Sequence, residues 1–169
     1  MMHAPDGREP TPLAEPPVSS VTLTSLFQQR GQDMLRLAYL LMGSREMAED
    51  VVQDAFLSME SRLSSIGHPA AYLRVSVVNG ARSRIRRQRT ADAHARTLIE
   101  GSLEQPRDVE LRDVLLRLAH RQRAAVVLRY YCQLSDPDIA EILGCRPATV
   151  RSLTRRALAN LRRELRYER

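Results

Sequence analysis

At 169 residues the chain has room for one ordinary domain or two small ones, and it carries a formal charge of +6 in which all 26 basic residues are arginine. Residues 1–20 hold no apolar run of the signal-peptide kind, and nothing approaches the ~18 consecutive apolar residues of a membrane span, so a soluble cytoplasmic protein is expected. The histidines are scattered at 3, 68, 94 and 120, and no phosphate-cradling glycine loop or paired metal-ligand spacing occurs, which argues against an enzyme, a cofactor or a metal site.

Residues 1–20 contain five of the nine prolines and read as a disordered tail. From Leu23 onward the periodicity is helical and no segment alternates with period two, so the expected fold class is all-α. A first helix is predicted over Leu23–Met42, its Met34–Met42 half apolar nearly all round and hence central to a core. Gly43 ends it, and Ser44 caps a second helix over Arg45–Ser64 whose first turn carries Glu46. There Val52, Phe56, Met59 and Leu63 form a buried stripe, while Glu46, Glu49, Asp50, Gln53 and Asp54 make a separate acidic face. Pro69 suits the first turn of a third helix, Pro69–Arg89, apolar at its start and basic at its end. Residues 21–89 thus form one small helical domain, and 90–108 read as a flexible acidic linker.

A second small domain spans 109–169, with helices over Val109–Leu118 and His120–Cys132 and then a helix-turn-helix from Ser135. Ser135 caps, Pro137 sits in the first turn and Asp138 takes the capping-box position. Ala140 permits a close helix crossing, Gly144 supplies the positive φ of the turn and Val150 plugs the second helix onto the first. Val150, Leu153, Leu158 and Leu161 are the expected core of that helix, and Arg151, Arg155, Arg162 and Arg166 form a stripe suited to a DNA major groove.

The charge is unevenly spread. Residues 67–90 hold six Arg and no acid, and residues 146–169 hold eight Arg against two Glu. Residues 21–66 sum to −2 and residues 91–110 to −3. Two basic blocks between acidic stretches point to two nucleic-acid contacts on one chain. Cys132 and Cys145 read as small apolar residues in a reduced compartment. The carboxylates around Asp50 lie along one helix face without a convergent partner segment, which suits an interaction surface better than a metal site.

Four motifs stand in order along the chain. Ala48-Glu-Asp-Val-Val-Gln-Asp-Ala-Phe56 is similar to AEDLVQEAF, and Ala71-Tyr-Leu-Arg with Val77-Val-Asn-Gly-Ala-Arg82 is similar to AYLRRVVVNLARD. Arg121-Gln-Arg123 with Val127-Leu-Arg-Tyr-Tyr131 matches RQRAVLVLRYY, and Ile139-Ala-Glu-Ile-Leu-Gly-Cys145 with Thr149-Val-Arg-Ser152 matches IAEVLGC and TVKS. In this order and at this spacing the motifs resemble the bacterial extracytoplasmic-function (ECF) sigma factors, and the length and arrangement look like the actinobacterial SigE-family subgroup. Arg146 departs from the pattern's capping Ser, Leu118-Ala-His120 replaces a Leu-Pro-Pro turn, and Leu153-Thr-Arg155 replaces Arg-Leu-His.

The resemblance implies two helical domains, regions 2 and 4, joined by a flexible linker, which bring core RNA polymerase to promoter DNA without cofactors. It implies that Glu49, Asp50, Gln53 and Asp54 dock the clamp helices of the largest subunit, with the second-largest subunit's flap contacting the protein too, and that Phe56 is core. Asn79 is implied to contact a −10 base, with Arg82, Arg86 and Arg87 on phosphates. At the −35 element, Arg151 and Arg155 are implied to read base edges, with Arg146, Thr149, Ser152 and Arg156 beside them and Arg162, Arg163 and Arg166 on phosphates or solvent. An anti-sigma factor is a further implied partner, and the free protein is expected to be a monomer away from membranes. A plain helix-turn-helix regulator would explain residues 109–166 but leave the acidic face and the first basic block unused. An interaction adaptor would show degraded basic helices, whereas both are intact.

Overall fold

A computed structural model describes residues 22–91 and 106–167, and within them every regular element is helical. Local chemistry sets most helix ends. Helix α1, Leu23–Met42, starts in a capping box in which Thr22 and Ser25 exchange side-chain and backbone bonds, and it stops at Gly43 with φ 77°. Helix α2, Arg45–Glu60, is capped by Ser44, whose Oγ accepts from the Met47 amide at 3.3 Å. It ends one turn before the expected Ser64, because Leu63–Ser65 tighten into a 3-10 turn with the Ile66 amide on the Leu63 carbonyl. Helix α3 runs over Pro69–Ala91 and helix α4 over Pro106–Leu116. Both therefore enter the stretch read as linker; the middle of that stretch and the N-terminal tail lie outside the described residues.

Helix α5, His120–Val126, follows a break that persists although Ala119 stands where a proline was expected. The expected helix to Cys132 instead opens at Val127–Tyr131 into a wide turn, with the Cys132 amide on the Val127 carbonyl five residues back. Gln133, at φ 54°, then swings the chain toward Ser135. Helix α6, Asp136–Leu143, carries the Ser135–Asp138 capping box and closes on Gly144 at φ 58°. Helix α7 covers Pro147–Tyr167, its first turn accepted by the Arg146 carbonyl.

Helices α1, α2 and α3 enclose Leu37, Tyr39, Leu41, Val51, Met59, Leu73, Val77 and Val78, all essentially inaccessible. Each such aliphatic side chain contributes about 1.5–3 kcal/mol. The second unit buries Leu128, Ile139, Val150 and Ala157. On α7 the buried row is Val150, Thr154 and Ala157, with Leu153 and Leu161 packed at its edges. Leu158, expected in the core, is turned to a surface groove, because Thr154 and Ala157 take the buried positions on this stretch of α7.

The two units share one apolar core. Helix α4 seats Leu116 over Gly43, where an added Cβ would collide with its side chain. Arg112 Nη1 donates to the Tyr39 hydroxyl at 3.0 Å. The Tyr131 hydroxyl reaches the Asp33 carbonyl at 3.5 Å, and the Arg36 guanidinium lies 5.8 Å from the Tyr131 ring centre.

Candidate nucleic-acid interfaces and an acidic docking face

On α2, Glu49, Asp50, Gln53 and Asp54 are all exposed, because Val51, Val52, Ala55 and Phe56 take the buried positions. The four fall into two pairs, each spaced by one turn. Glu49 and Gln53 stand at the rim of a groove of about 620 Å³ between α1 and α2, floored by Leu35, Val52 and Phe56 and flanked by the exposed Phe27 and Leu57. Glu49 also accepts from Arg45 Nε at 2.8 Å.

Asp50 and Asp54 turn the other way, toward α3. Arg84 Nη1 donates to Asp50 Oδ2 at 2.7 Å and Nη2 donates to Asp54 Oδ2 at 2.9 Å. The Asp50 hydrogen bond is the strongest influence on Arg84; against the opposing cost of desolvation, and with help from Asp54, it raises the guanidinium above its ordinary pKa. The carboxylates around Asp50 do have a convergent partner after all. It is an arginine, and among the described residues no group of three or more His, Cys, Asp or Glu could hold a metal ion.

Asn79, Arg82 and Arg86 form one exposed row on α3, with Arg87 exposed beside it. Arg84 lies roughly 140° round the helix from Asn79 at about 100° per residue, on the side that carries the buried Leu73 and Val77. The basic run of α3 therefore divides between two sides of the helix.

In the second unit Gly144 and the Cys145 amide, bonded to the Ala140 carbonyl at 2.9 Å, turn the chain so that Val150 lands in the core. Arg121 Nη2 donates to the Leu143 carbonyl at 3.3 Å and so holds the last turn of α6. Arg117–Glu164 at 2.9 Å and Asn160–Gln122 at 3.3 Å tie α7 to the start of this unit.

Arg151 and Arg155, with Arg162 below them, line a groove of about 350 Å³ completed by Arg129, Tyr130, Thr154 and Leu158. Thr149, Ser152 and Arg156 occupy a different row of α7, and Arg146 and Thr149 are exposed at its N-terminal end. Arg166 of the expected stripe carries no described side chain. Asp136, in the first turn of α6, pairs with Arg129 and lies 3.8 Å from Arg151. Arg129, Tyr130 and Asp136 were not among the expected site residues. The wide turn exposes Tyr130 beside arginines that sequence spacing places in other helices.

Residues 26–91 match the family model described as Sigma-70 region 2, and residues 108–161 match Sigma-70 region 4. The chain is 34% identical over 144 residues to the RNA polymerase sigma-E factor of Streptomyces avermitilis, covering 80% of each. It is 34% identical over 152 residues to the ECF RNA polymerase sigma factor SigM of Mycobacterium tuberculosis, covering 84% of this chain and 76% of that one. In fold it is similar to the sigma factor RpoE of Bartonella quintana, with a TM-score of 0.71 and 23% identity over 86% of this chain and 98% of the other. The Mycobacterium tuberculosis extracytoplasmic function sigma factor SigJ gives a TM-score of 0.63 and 27% identity over 82% of this chain and 52% of that one.

Proposed function

The chain belongs to the sigma-70 family of RNA polymerase sigma factors, in its extracytoplasmic-function branch, and from that premise we propose how its residues divide the work of promoter-specific initiation. As a sigma factor it binds core RNA polymerase and directs initiation at promoters through −10 and −35 elements.

Residues 21–89 act as the polymerase-docking and −10 unit, and residues 109–169 as the −35 unit. Glu49, Asp50, Gln53 and Asp54 dock core polymerase. Asn79 contacts an unstacked −10 base, and Arg82, Arg86 and Arg87 hold phosphates. Arg151 and Arg155 read base edges at −35, where a guanidinium can be bidentate to guanine, and Arg146, Thr149, Ser152 and Arg156 contact bases or phosphates beside them.

One observation carries this reading. The exposed row Asn79, Arg82 and Arg86 and the exposed acids of α2 occupy different sides of one helical unit, so polymerase and DNA can be held at the same time. The protein has no chemistry of its own in this reading and works in the cytoplasm where polymerase is. An anti-sigma protein is the further partner proposed. Among the described residues no helix is long and apolar enough to cross a membrane.

The test is run-off transcription on genomic DNA with sigma-free core polymerase plus this protein. Discrete starts that share upstream elements are expected. Tight, specific binding to duplex promoter DNA without polymerase would favour a plain regulator instead.

A further inference from the structure

The basic run of α3 contains Arg82, Arg84, Arg86 and Arg87, of which Arg84 alone among these four is not exposed. Arg84 has only 25% of its side chain exposed, and its two terminal nitrogens are divided between Asp50 and Asp54 at 2.7 and 2.9 Å. The aspartates stand one turn apart on α2, a spacing at which like charges repel. A planar guanidinium serves both at once through Nη1 and Nη2, which diverge in a fixed plane; a lysine ammonium also has several donors, but they rotate about one nitrogen on a flexible stem and set no such fixed geometry. Close helix approach makes this reach possible. One turn before Arg84, a Cβ added to Gly80 would lie 3.0 Å from Val51 Cγ1.

We propose that Arg84 is a positioning residue for initiation: by bracing Asp50 and Asp54 it fixes the rotation of α3 relative to the polymerase-docking face, and it does not contact DNA. The inference rests on the docking role proposed for those aspartates. Asp50 and Asp54 are 53% and 68% exposed, so each carboxylate keeps lone pairs for a cationic group of the polymerase after Arg84 is satisfied. Rotation of α3 matters because Asn79 and Arg82 project from the same rigid helix. A turn about its axis that frees Arg84 also re-aims the −10 row. Lysine at this position would neutralise charge yet lack the fixed fork that holds the two aspartates in one orientation.

The experiment uses the full chain assembled with core polymerase and compares Arg84→Gln, Arg84→Lys, Arg86→Ala and the double variant Asp50→Asn/Asp54→Asn. Exposed ion pairs add little to folding, so helicity should be unchanged in all of them. At saturating core, Arg84→Gln should reduce promoter opening, read by permanganate reactivity, by about tenfold, within the range that coupled neighbours show. Arg84→Lys should recover only part of that loss. Arg84→Gln should leave the salt dependence of promoter binding as in the parent, whereas Arg86→Ala lowers its slope by about one. Added to Asp50→Asn/Asp54→Asn, Arg84→Gln should produce no further loss of opening. A reduced salt slope in Arg84→Gln would make it a phosphate contact and overturn the proposal, as would undiminished opening or full additivity with the aspartate variants. Unchanged core affinity in Asp50→Asn/Asp54→Asn would instead overturn the docking premise, an outcome read in a separate binding titration.

Discussion

The two functional units build their charged faces by mirrored means. In region 2 a single arginine, Arg84, braces two aspartates across two helices; in region 4 a single aspartate, Asp136, braces two arginines, Arg129 and Arg151. In each case the residue of minority sign is the less exposed one, with Asp136 only 18% accessible against 64% for Arg151. In each unit an embedded counter-charge holds like-charged neighbours together, where like charges left alone would spread apart. The braces also differ. Arg84 joins two helices that already share a core, whereas Asp136 sits in the first turn of α6, where the helix dipole favours an acid, and links the helix-turn-helix to the turn before it.

Breaking the comparison at its strongest point means reversing the braced charges. Asp50→Arg with Asp54→Arg should weaken core-polymerase binding by about 100-fold, because like charges would then face both Arg84 and the polymerase surface. Helicity should not change, and a pull-down with core polymerase reads the effect.

On the opposite side, Arg151→Ala or Arg155→Ala should lose about 1–3 kcal/mol of discrimination at particular −35 positions. A promoter-variant binding series checks it. Removing the brace rather than the reader should do less. Asp136→Asn should relax −35 discrimination by roughly threefold, since the pair is long at 3.8 Å and its Arg151 end is 64% exposed and screened. Equal losses for Arg151→Ala and Asp136→Asn would show that Asp136 matters through the fold of α6 and not through Arg151.

Arg86→Ala, outside both braces, should weaken binding to all sequences alike and lower the salt slope by about one. The smallest effect belongs to Cys132. Burial, aided by Asp33 and opposed by Arg74, pushes its thiol pKa up, so the folded state keeps the proton longer than the unfolded chain. Its contribution is therefore present below the unfolded thiol pKa and lost as pH rises through the raised folded value. Denaturation midpoints above about pH 9 should fall slightly less in Cys132→Ala than in the parent.

Elements set by local chemistry were legible in the sequence. The capping serines Ser44 and Ser135, the stop at Gly43, the start at Pro69 and the turn at Gly144 all act within four residues of themselves. So was the exposure of Asp50, Asp54, Asn79 and Arg151, which follows from helical period alone. Features that depend on distant packing were not. The wide turn at Val127–Tyr131 arises where the chain closes through the Leu134 amide on the Leu128 carbonyl, and it alone exposes Tyr130 beside α7. The seating of Leu116 on Gly43 joins residues far apart in the chain. Leu158 fits the apolar pattern of α7 yet faces the groove, because the smaller Thr154 and Ala157 fill the buried positions there. Arg84 lay in between: its position on the wheel was readable, its two aspartate partners were not.

The division of labour between the units is tested most directly by permanganate footprinting of the open bubble, run with holoenzymes carrying Asn79→Ala, Arg86→Ala, Arg151→Ala or Arg155→Ala, beside a promoter-variant binding series. Asn79→Ala should spare recruitment through the −35 element but reduce opening or base choice at −10. Arg151→Ala and Arg155→Ala should alter −35 preference while opening on recruited complexes persists, and Arg86→Ala should weaken every sequence alike. A set in which all four variants produce the same uniform loss would contradict the account.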